Sequence, residues 1–397
     1  MPAESRVLFI GLLLSVASNN LLAPLLPAIR SSMGVSLASM GTFVSTYGFG
    51  RLIVDLPSGA LTTRVGPRPV AILGIGLNIV FSIAGAFAPN FGLLLIARVG
   101  TGVGAGLLAT VILSTLSSIA PPSIRGKVMS LYQVANNLGI AAYPLIGGAV
   151  GTFLGWRWAF IVAAVAATAS GLVLAPVLRR IGNLTYDTPA TKVAGNAGRN
   201  VRRAVPALGL IAIFFGVVAN MINRHGFRNT VLPLFAASHL GLSEVQTATG
   251  ITLMSLTGIL VTIPGAALGD RIGRKRIVVV GLAILAFGDF MFPIVANSYL
   301  SFVIAGMVVG TGDFFSSSQT ALLSDLVPGP RRATVLGAYR FCVDLGALIG
   351  PSLLARIMAS DGANAAITTA AAILAAAAVV GLVGIPNGPR RPTSQLA

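Results

Sequence analysis

The feature that most constrains this chain is a recurrence: apolar runs of about 20 residues follow one another from Val7 almost to the C-terminus, separated by short polar or charged breaks. Each run is long enough to cross a hydrocarbon core of ~30 Å as a helix, and too long and too evenly apolar for a transmembrane strand of about ten alternating residues. In hydrocarbon every backbone N–H and C=O must find its partner inside the segment, so the expected class is an all-α integral membrane fold. Composition agrees, with 55% hydrophobic against 9% charged residues over 397 positions and a mean hydropathy of +0.89. The first run continues to Pro27 with no small-residue cleavage site directly after it, so it reads as a spanning helix and not a removed signal peptide.

Breaking the pattern at charges and at Pro, Gly and Asn clusters places six spans near 7–29, 38–63, 70–89, 92–118, 127–151 and 157–178. A second six fall near 208–236, 243–268, 277–296, 299–324, 332–357 and 363–385. The expected organisation is a six-helix bundle over 1–180, a linker over 181–204, and a second six-helix bundle with a short tail over 205–397. The linker region, "RRIGNLTYDTPATKVAGNAGRNVRR", is polar, basic and rich in Gly, Asn and Thr, a composition that need not pack.

The formal charge of +17 would suggest nucleic acid for a soluble chain, but in a membrane its placement matters more than its sum. With the N-terminus inside, one side carries Arg6, Arg64, Arg68, Arg125, Lys127, Arg179, Arg180, Lys192, Arg199, Arg202, Arg203, Arg271, Arg274, Lys275, Arg276, Arg331, Arg332, Arg390 and Arg391. The other side carries Arg30, Arg157 and Arg356. The positive-inside rule then puts both termini in the cytoplasm of a multi-pass protein of the cell's inner or plasma membrane.

The two halves match at a constant shift of 207 residues: Gly34/Gly241, Ser36/Ser243, Pro57/Pro264, Leu61/Leu268, Arg64/Arg271, Gly66/Gly273, Arg125/Arg332, Tyr132/Tyr339, Gly139/Gly346 and Pro144/Pro351. Two like-oriented six-helix units imply parallel repeats about an axis along the membrane normal, with a site between them near mid-membrane.

Four local motifs carry a family resemblance. The stretch "LGDRIGRKR" (Leu268 to Arg276) fits an Asp-Arg-x-Gly-Arg-Lys loop, with Asp270, Arg271, Gly273 and Arg274 at its marked positions. Its counterpart "GALTTRVGPRP" keeps Gly59, Arg64, Gly66 and Arg68 but has Thr63 where an aspartate is usual. "ARVGTGVGAG" matches an Arg-x-x-x-Gly-x-Gly pattern led by Arg98. "GIAAYPLIGG" matches Gly-x-x-x-Gly-Pro-x-x-Gly-Gly through Gly139, Pro144, Gly147 and Gly148, with Tyr143 replacing the second Gly. On these residues the chain resembles the major facilitator superfamily, and within it the twelve-helix bacterial drug:proton antiporters. The resemblance implies alternating access, conformational loops around Gly59 and Asp270, and a proton-coupling role for Arg98. In physical terms, Gly and Pro in the fifth span let helices approach and bend, and an acid at a helix N-terminus makes a contact that can be broken.

Charges inside spans are costly, roughly 2.5–3.5 kcal/mol each on lenient scales, so they should be paired or face a wet cavity. Arg51 and Asp55 share the second span, and Arg340 and Asp344 share the eleventh at the same spacing. The family architecture implied by the resemblance sets these spans antiparallel to each other across the interface between halves. Arg51 and Asp344 are then level, about 18 to 20 Å from the cytoplasmic ends, and Asp55 and Arg340 are level at about 12 to 14 Å. A double ion pair, Arg51 with Asp344 and Asp55 with Arg340, is expected to close the cytoplasmic side of the interface in the outward-facing state. The alternative is that each pair neutralises itself along its own helix.

A second group faces, on the same architecture, a central cavity lined by the first, fourth, seventh and tenth spans. It comprises Asn19, Asn20, Arg98, Asn220, Asn223, Arg224, His225, Arg228, Asp313, Ser316, Ser317, Ser318 and Gln319. Arg224 and Arg228 share a helical face and are expected to border one pocket, which suits an anionic, zwitterionic or neutral amphipathic substrate; snorkelling to lipid headgroups is the alternative. Asp313 is the leading candidate for a proton-titrated carboxylate, with Asp55 or Asp344 able to serve instead. Asp289 in the ninth span is expected to have a structural role at a helix contact.

One cysteine and two histidines leave no disulfide and no metal site, and no phosphate-binding Gly-x-x-x-x-Gly-Lys pattern or catalytic triad accompanies these charges. The chain therefore reads as a monomeric secondary transporter with no catalytic activity and no cofactor. Its expected partners are a small-molecule substrate, protons and the lipid bilayer, and no nucleic acid. Proton-coupled export of a small amphipathic compound or drug leads. Selective transport of an anionic or zwitterionic metabolite or lipid is the alternative, and a non-transporting membrane sensor or assembly subunit is the reading from a different class.

Overall fold

A computed structural model of the chain describes residues 3–119, 125–181, 207–316, 319–327 and 332–386. The linker beyond residue 181, Ser317, Ser318, Arg331 and the Arg390–Arg391 tail lie outside the described residues, as do the side chains of Ser316, Asp270 and Arg332.

Every element of the described residues is helical, and together they form twelve membrane-spanning helices. In the first half these are α1 (Ala3–Ser15, Ala17–Asn20, Ala23–Leu25 and Leu26–Met33), α2 (Leu37–Val65), α3 (Pro67–Ala86), α4 (Phe91–Ile119), α5 (Arg125–Leu154) and α6 (Trp156–Ile181). The second half begins with α7 (Ala207–Met221, Ile222–Val231 and Leu232–Leu240), α8 (Glu244–Ile272), α9 (Arg274–Val295) and α10 (Tyr299–Ser316 and Gln319–Leu326). The last helical run, Arg332–Gly384, is broken at Gly362 (φ 89°, ψ 170°), which separates α11 (332–361) from α12 (363–384).

The internal repeat is written into the backbone. Among the described residues, positive φ occurs only at Gly34, Gly66, Gly155, Gly241, Gly273 and Gly362, which are three pairs at the 207-residue shift. These turns reverse the chain in a conformation that a Cβ would penalise, so each half needs glycine at the same corners. The start of α2 is capped by Ser36, whose hydroxyl accepts from Ser39 N. The equivalent Ser243 caps α8 in a full capping box with Gln246.

Within each bundle small residues bring backbones together, since apolar burial alone gives little drive between helices already in lipid. A Cβ on Gly102 would lie 2.2 Å from Tyr47 O, and one on Gly310 would lie 2.2 Å from Met254 O, so α2–α4 and α8–α10 pack backbone to backbone in both halves.

The two bundles meet along α2–α11 and α5–α8, with α1 and α7 closing the centre. The face that carries both chain ends is called here the termini face, and the opposite one the far face. At the far half, a Cβ on Gly41 would sit 2.3 Å from Pro351 O, one on Gly48 3.1 Å from Ala347 C, and one on Gly148 2.5 Å from Ala248 Cβ. Thr152 adds a hydrogen bond to Glu244. Farther down the same helices, Gly59 on α2 and Gly337 on α11 meet nothing within 4 Å. Among the described residues, the closest backbone approaches between the bundles lie toward the far face.

Candidate functional site

Two helices are irregular at equivalent places. The first, α1, breaks between Ser15 and Leu26, passing through a 3-10 turn at Ala23–Leu25 that contains Pro24. The second, α7, widens to a π-helix over Ile222–Val231, which the 207-residue shift maps onto residues 15–24. Interrupted helices at matching positions of two repeats free backbone groups and side chains toward the central axis, the usual mark of a transport site.

Arg98 of α4 fills the N-terminal side of this region. It is fully buried. Its Nη1 donates to Ser18 O at 2.9 Å and its Nη2 to Asn19 Oδ1 at 2.8 Å, both on the broken stretch of α1. The guanidinium also lies 4.9 Å from the ring centres of Phe43 and Tyr47, two aromatics one turn apart on α2. All of these partners are neutral. Beside it is a cavity of about 10 Å³, room for about one water, lined by Asn19, Leu22, Ala23, Leu26, Phe43, Val44, Arg98 and, from the other bundle, Asn229. A crevice of about 550 Å³ opens toward the far face between Pro27, Arg30 and Val35 of the first hairpin and Leu234, Ala237 and Ser238 of α7.

The C-terminal side is a buried polar network. Arg228 Nη1 of α7 pairs with Asp313 Oδ2 of α10, the arginine side chain being 6% exposed and the aspartate 19%. Asn223 Nδ2, on the same π-helix, donates to Asp289 Oδ2 of α9, and Asp289 is wholly buried. Arg224 is half-buried and lies within electrostatic reach of its neighbour His225 and of Tyr339 on α11. Asn220 and Gln319 are buried, with Gln319 Nε2 packed near Gly216 on α7. Asn20 is spent on its own helix, donating to Val16 O.

At the bundle interface the structure brings Arg51 Nε of α2 to 3.1 Å from Asp344 Oδ1 of α11, and Arg340 Nε to 4.0 Å from Asp55 Oδ2. Both carboxylates are nearly buried, while Arg51 is 26% and Arg340 33% exposed. His225 of α7 lies within electrostatic reach of Arg51 and Asp344, which ties the π-helix to this quartet. About two turns toward the far face, Ser352 Oγ donates to Ser45 Oγ at 2.9 Å, and Ser45 Oγ donates in turn to Leu348 O, stitching α2 to α11. The quartet was expected to seal the termini side. Both cross-bundle pairs are present, on the termini side of the glycine contacts at Gly41, Gly48 and Gly148.

The motif residues divide by role. Gly139 and Gly147 of α5 seat it against Val16 and Leu21 of α1, while Gly148 faces α8 across the interface. Pro144 lies inside α5 beside the buried Tyr143. Gly66 and Gly273 make the positive-φ turns of the two conformational loops, whose Arg64 and Arg271 are exposed and whose Arg274 is half-buried. Sequence reasoning missed Asn229, Phe43, Tyr47 and Ser45. Only the one-turn spacing of Phe43 and Tyr47 opposite an intramembrane arginine hinted at any of them. Among the described residues no cluster of three His, Cys, Asp or Glu side chains is placed to hold a metal ion.

Comparison with known proteins decides the family. The family model described as Major Facilitator Superfamily matches residues 8–227 and again 213–397. The chain belongs to this superfamily. It is accordingly a secondary transporter of small molecules, from a transport family and not a catalytic one. Similar proteins include an uncharacterised MFS-type transporter of Mycobacterium tuberculosis, 30% identical over 43% of this chain and 29% of that longer protein. A chloramphenicol resistance protein of Streptomyces lividans is 26% identical over 97% of this chain and 96% of its own length. An arabinose-proton symporter of Bacillus subtilis is 23% identical over 75% and 73%. Among solved structures, a peptide transporter crystallised with sulfate superposes with a TM-score of 0.78 at 18% identity, covering 96% of this chain and 94% of that one, which shows the shared fold.

Proposed function

We propose that the chain exports a small amphipathic compound in exchange for protons, in the manner of the drug:proton antiporter branch. The unit over 1–180 rocks against the unit over 205–397, with both termini in the cytoplasm as the basic residues on that side favour. The observation that carries the reading is the Arg228–Asp313 pair deep in the second bundle, whose carboxylate retains some exposure while its guanidinium is enclosed. A proton delivered to Asp313 cancels its charge and releases Arg228, so proton occupancy and the electrostatics of the substrate chamber change together. The full-length match to a chloramphenicol resistance protein supports export over uptake. The pairs of Arg51 with Asp344 and of Arg340 with Asp55, formed in this conformation, part and re-form as the bundles rock.

The test is efflux from proteoliposomes carrying an imposed pH gradient. Efflux accelerated by the gradient, and insensitive to it in Asp313→Asn, is expected. Efflux unchanged when the gradient is collapsed would overturn the coupling. A second reading, transport of an anionic or zwitterionic metabolite, is favoured by Arg98, a buried cation held by neutral groups alone. It predicts narrow selectivity and binding that competes with simple organic anions.

A further inference from the structure

The buried carboxylate of Asp289 is not used by the proposed cycle, and its surroundings are unusual. It lies on α9 with no exposed surface, in a half whose other carboxylates at this depth are Asp313 and Asp344. Its Oδ2 accepts from Asn223 Nδ2. The atoms left over by that contact, Asp289 Oδ1 and Asn223 Oδ1, have no hydrogen-bond partner among the described residues. Both are acceptors if the aspartate is ionised, so an amide and a carboxylate placed this way satisfy one bond and leave two lone oxygens buried. A buried unsatisfied polar atom costs about 1–3 kcal/mol, and more for a charged one. A single proton on Oδ1 supplies the missing donor, since a carboxylic acid and a primary amide can form a closed pair of hydrogen bonds: N–H to one carboxyl oxygen and O–H to the amide oxygen.

The charge balance points the same way. The charged groups facing Asp289 are Arg228 from α7 and Asp313 from α10, with Asn223 the neutral partner. From α12, which packs on α9 where Gly381 meets Val279, no ionisable residue is available, and those of α8 lie at its ends. Arg228 is already paired with Asp313, so it is not held by Asp289 in this arrangement. An enclosed site of this kind reaches neutrality by holding one proton.

We propose that Asp289 is a proton-holding site, kept as a neutral carboxylic acid paired with the Asn223 amide while Arg228 is bound to Asp313. Arg228 Nε and Nη2 have no hydrogen-bond partner among the described residues and face the same network. Movement of Arg228 from Asp313 to Asp289 ionises Asp289, whose O–H bond breaks and whose proton is given up to water, while Asp313 loses the guanidinium that favours its charged form. The site gives the transporter a second acid that alternates with Asp313. It rests on the proton-coupled reading for its use in transport, but not for its existence.

Infrared difference spectroscopy of the purified protein tests it. At neutral pH a carboxylic-acid C=O band that shifts in deuterium oxide is expected in the wild type, is expected to weaken in Asp313→Asn, where Arg228 is free to move to Asp289, and is expected to vanish in Asp289→Asn. Absence of the band in the wild type, or its retention in Asp289→Asn, overturns the proposal. If Asp289→Asn does not fold, Asn223→Ala supplies the reading. Removing the donor to the carbonyl moves the band to higher frequency if the acid is Asp289, and an unmoved band overturns the assignment. Proteoliposome efflux separates the two ideas. Loss of gradient dependence with the band intact refutes antiport alone, and gradient-dependent efflux without the band refutes the Asp289 site alone.

Discussion

Removing Asp344 and Arg51 singly and together measures how strongly the quartet joins the bundles. Asp344 is 4% exposed and Arg51 26%, at 3.1 Å. A fully buried pair loses about 3–5 kcal/mol when one partner is removed, because the other charge is left uncompensated. An exposed pair loses about 0–1 kcal/mol. With the carboxylate enclosed and the guanidinium a quarter open to solvent, each single change, Arg51→Gln or Asp344→Asn, is expected to cost about 2 kcal/mol. The double variant restores neutrality within the quartet, since Asp55 and Arg340 remain as a balanced pair. It should therefore cost about 2 kcal/mol and not the sum of the two, a coupling of roughly 2 kcal/mol, well above the ~0.5 kcal/mol scatter of independent sites. The assay is equilibrium unfolding in mixed micelles, followed by the fluorescence of Trp156 and Trp158. A parallel cycle on Arg51 and Asp55 tests the same-helix alternative. Additive single effects would refute the cross-bundle pairing, and so would stronger coupling along α2 than between α2 and α11.

Three further outcomes follow from the packing. Gly148→Leu places a side chain where a Cβ already lies 2.5 Å from Ala248 Cβ, so it should wedge α5 from α8 and open the far face. Thiol labelling of an Asn229→Cys probe, in a background with Cys342 replaced by Ser, should rise several-fold, and unchanged labelling would count against closure there. Arg98→Lys should leave the chain folded but lower transport at least tenfold, because an ammonium cannot reproduce two directed hydrogen bonds and a planar contact with Phe43 and Tyr47. Retention of wild-type transport rates in proteoliposomes would remove Arg98 from the site. Arg157 donates to Ala86 O at 2.8 Å and Ala88 O at 3.0 Å, capping the end of α3, and lies over Trp156. Arg157→Ala is expected to cost about 1 kcal/mol in the same unfolding assay, reduced from the buried value by its exposure.

Much of the architecture was legible before any coordinates. Membrane class, span number and the repeat follow from local properties: the length of apolar runs, and glycines such as Gly66 and Gly273 that occupy turns closed to other residues. The levels of Arg51, Asp55, Arg340 and Asp344 could be counted along regular helices, because 1.5 Å per residue holds wherever the helix is unbroken. That logic fails at residues 222–231. There the contacts of Arg228 with Asp313 and of Asn223 with Asp289 join different helices, and no spacing within one helix shows them.

By itself, then, the sequence determined that this chain crosses the membrane twelve times as two related bundles with charges set at mid-depth, since hydrophobicity and backbone sterics act residue by residue. Which guanidinium meets which carboxylate, and where Arg98 finds neutral partners, emerged only from the packed helices. Those depend on how two rigid bundles lean on each other through the contacts at Gly41, Gly48 and Gly148, a relation between surfaces that no single segment encodes.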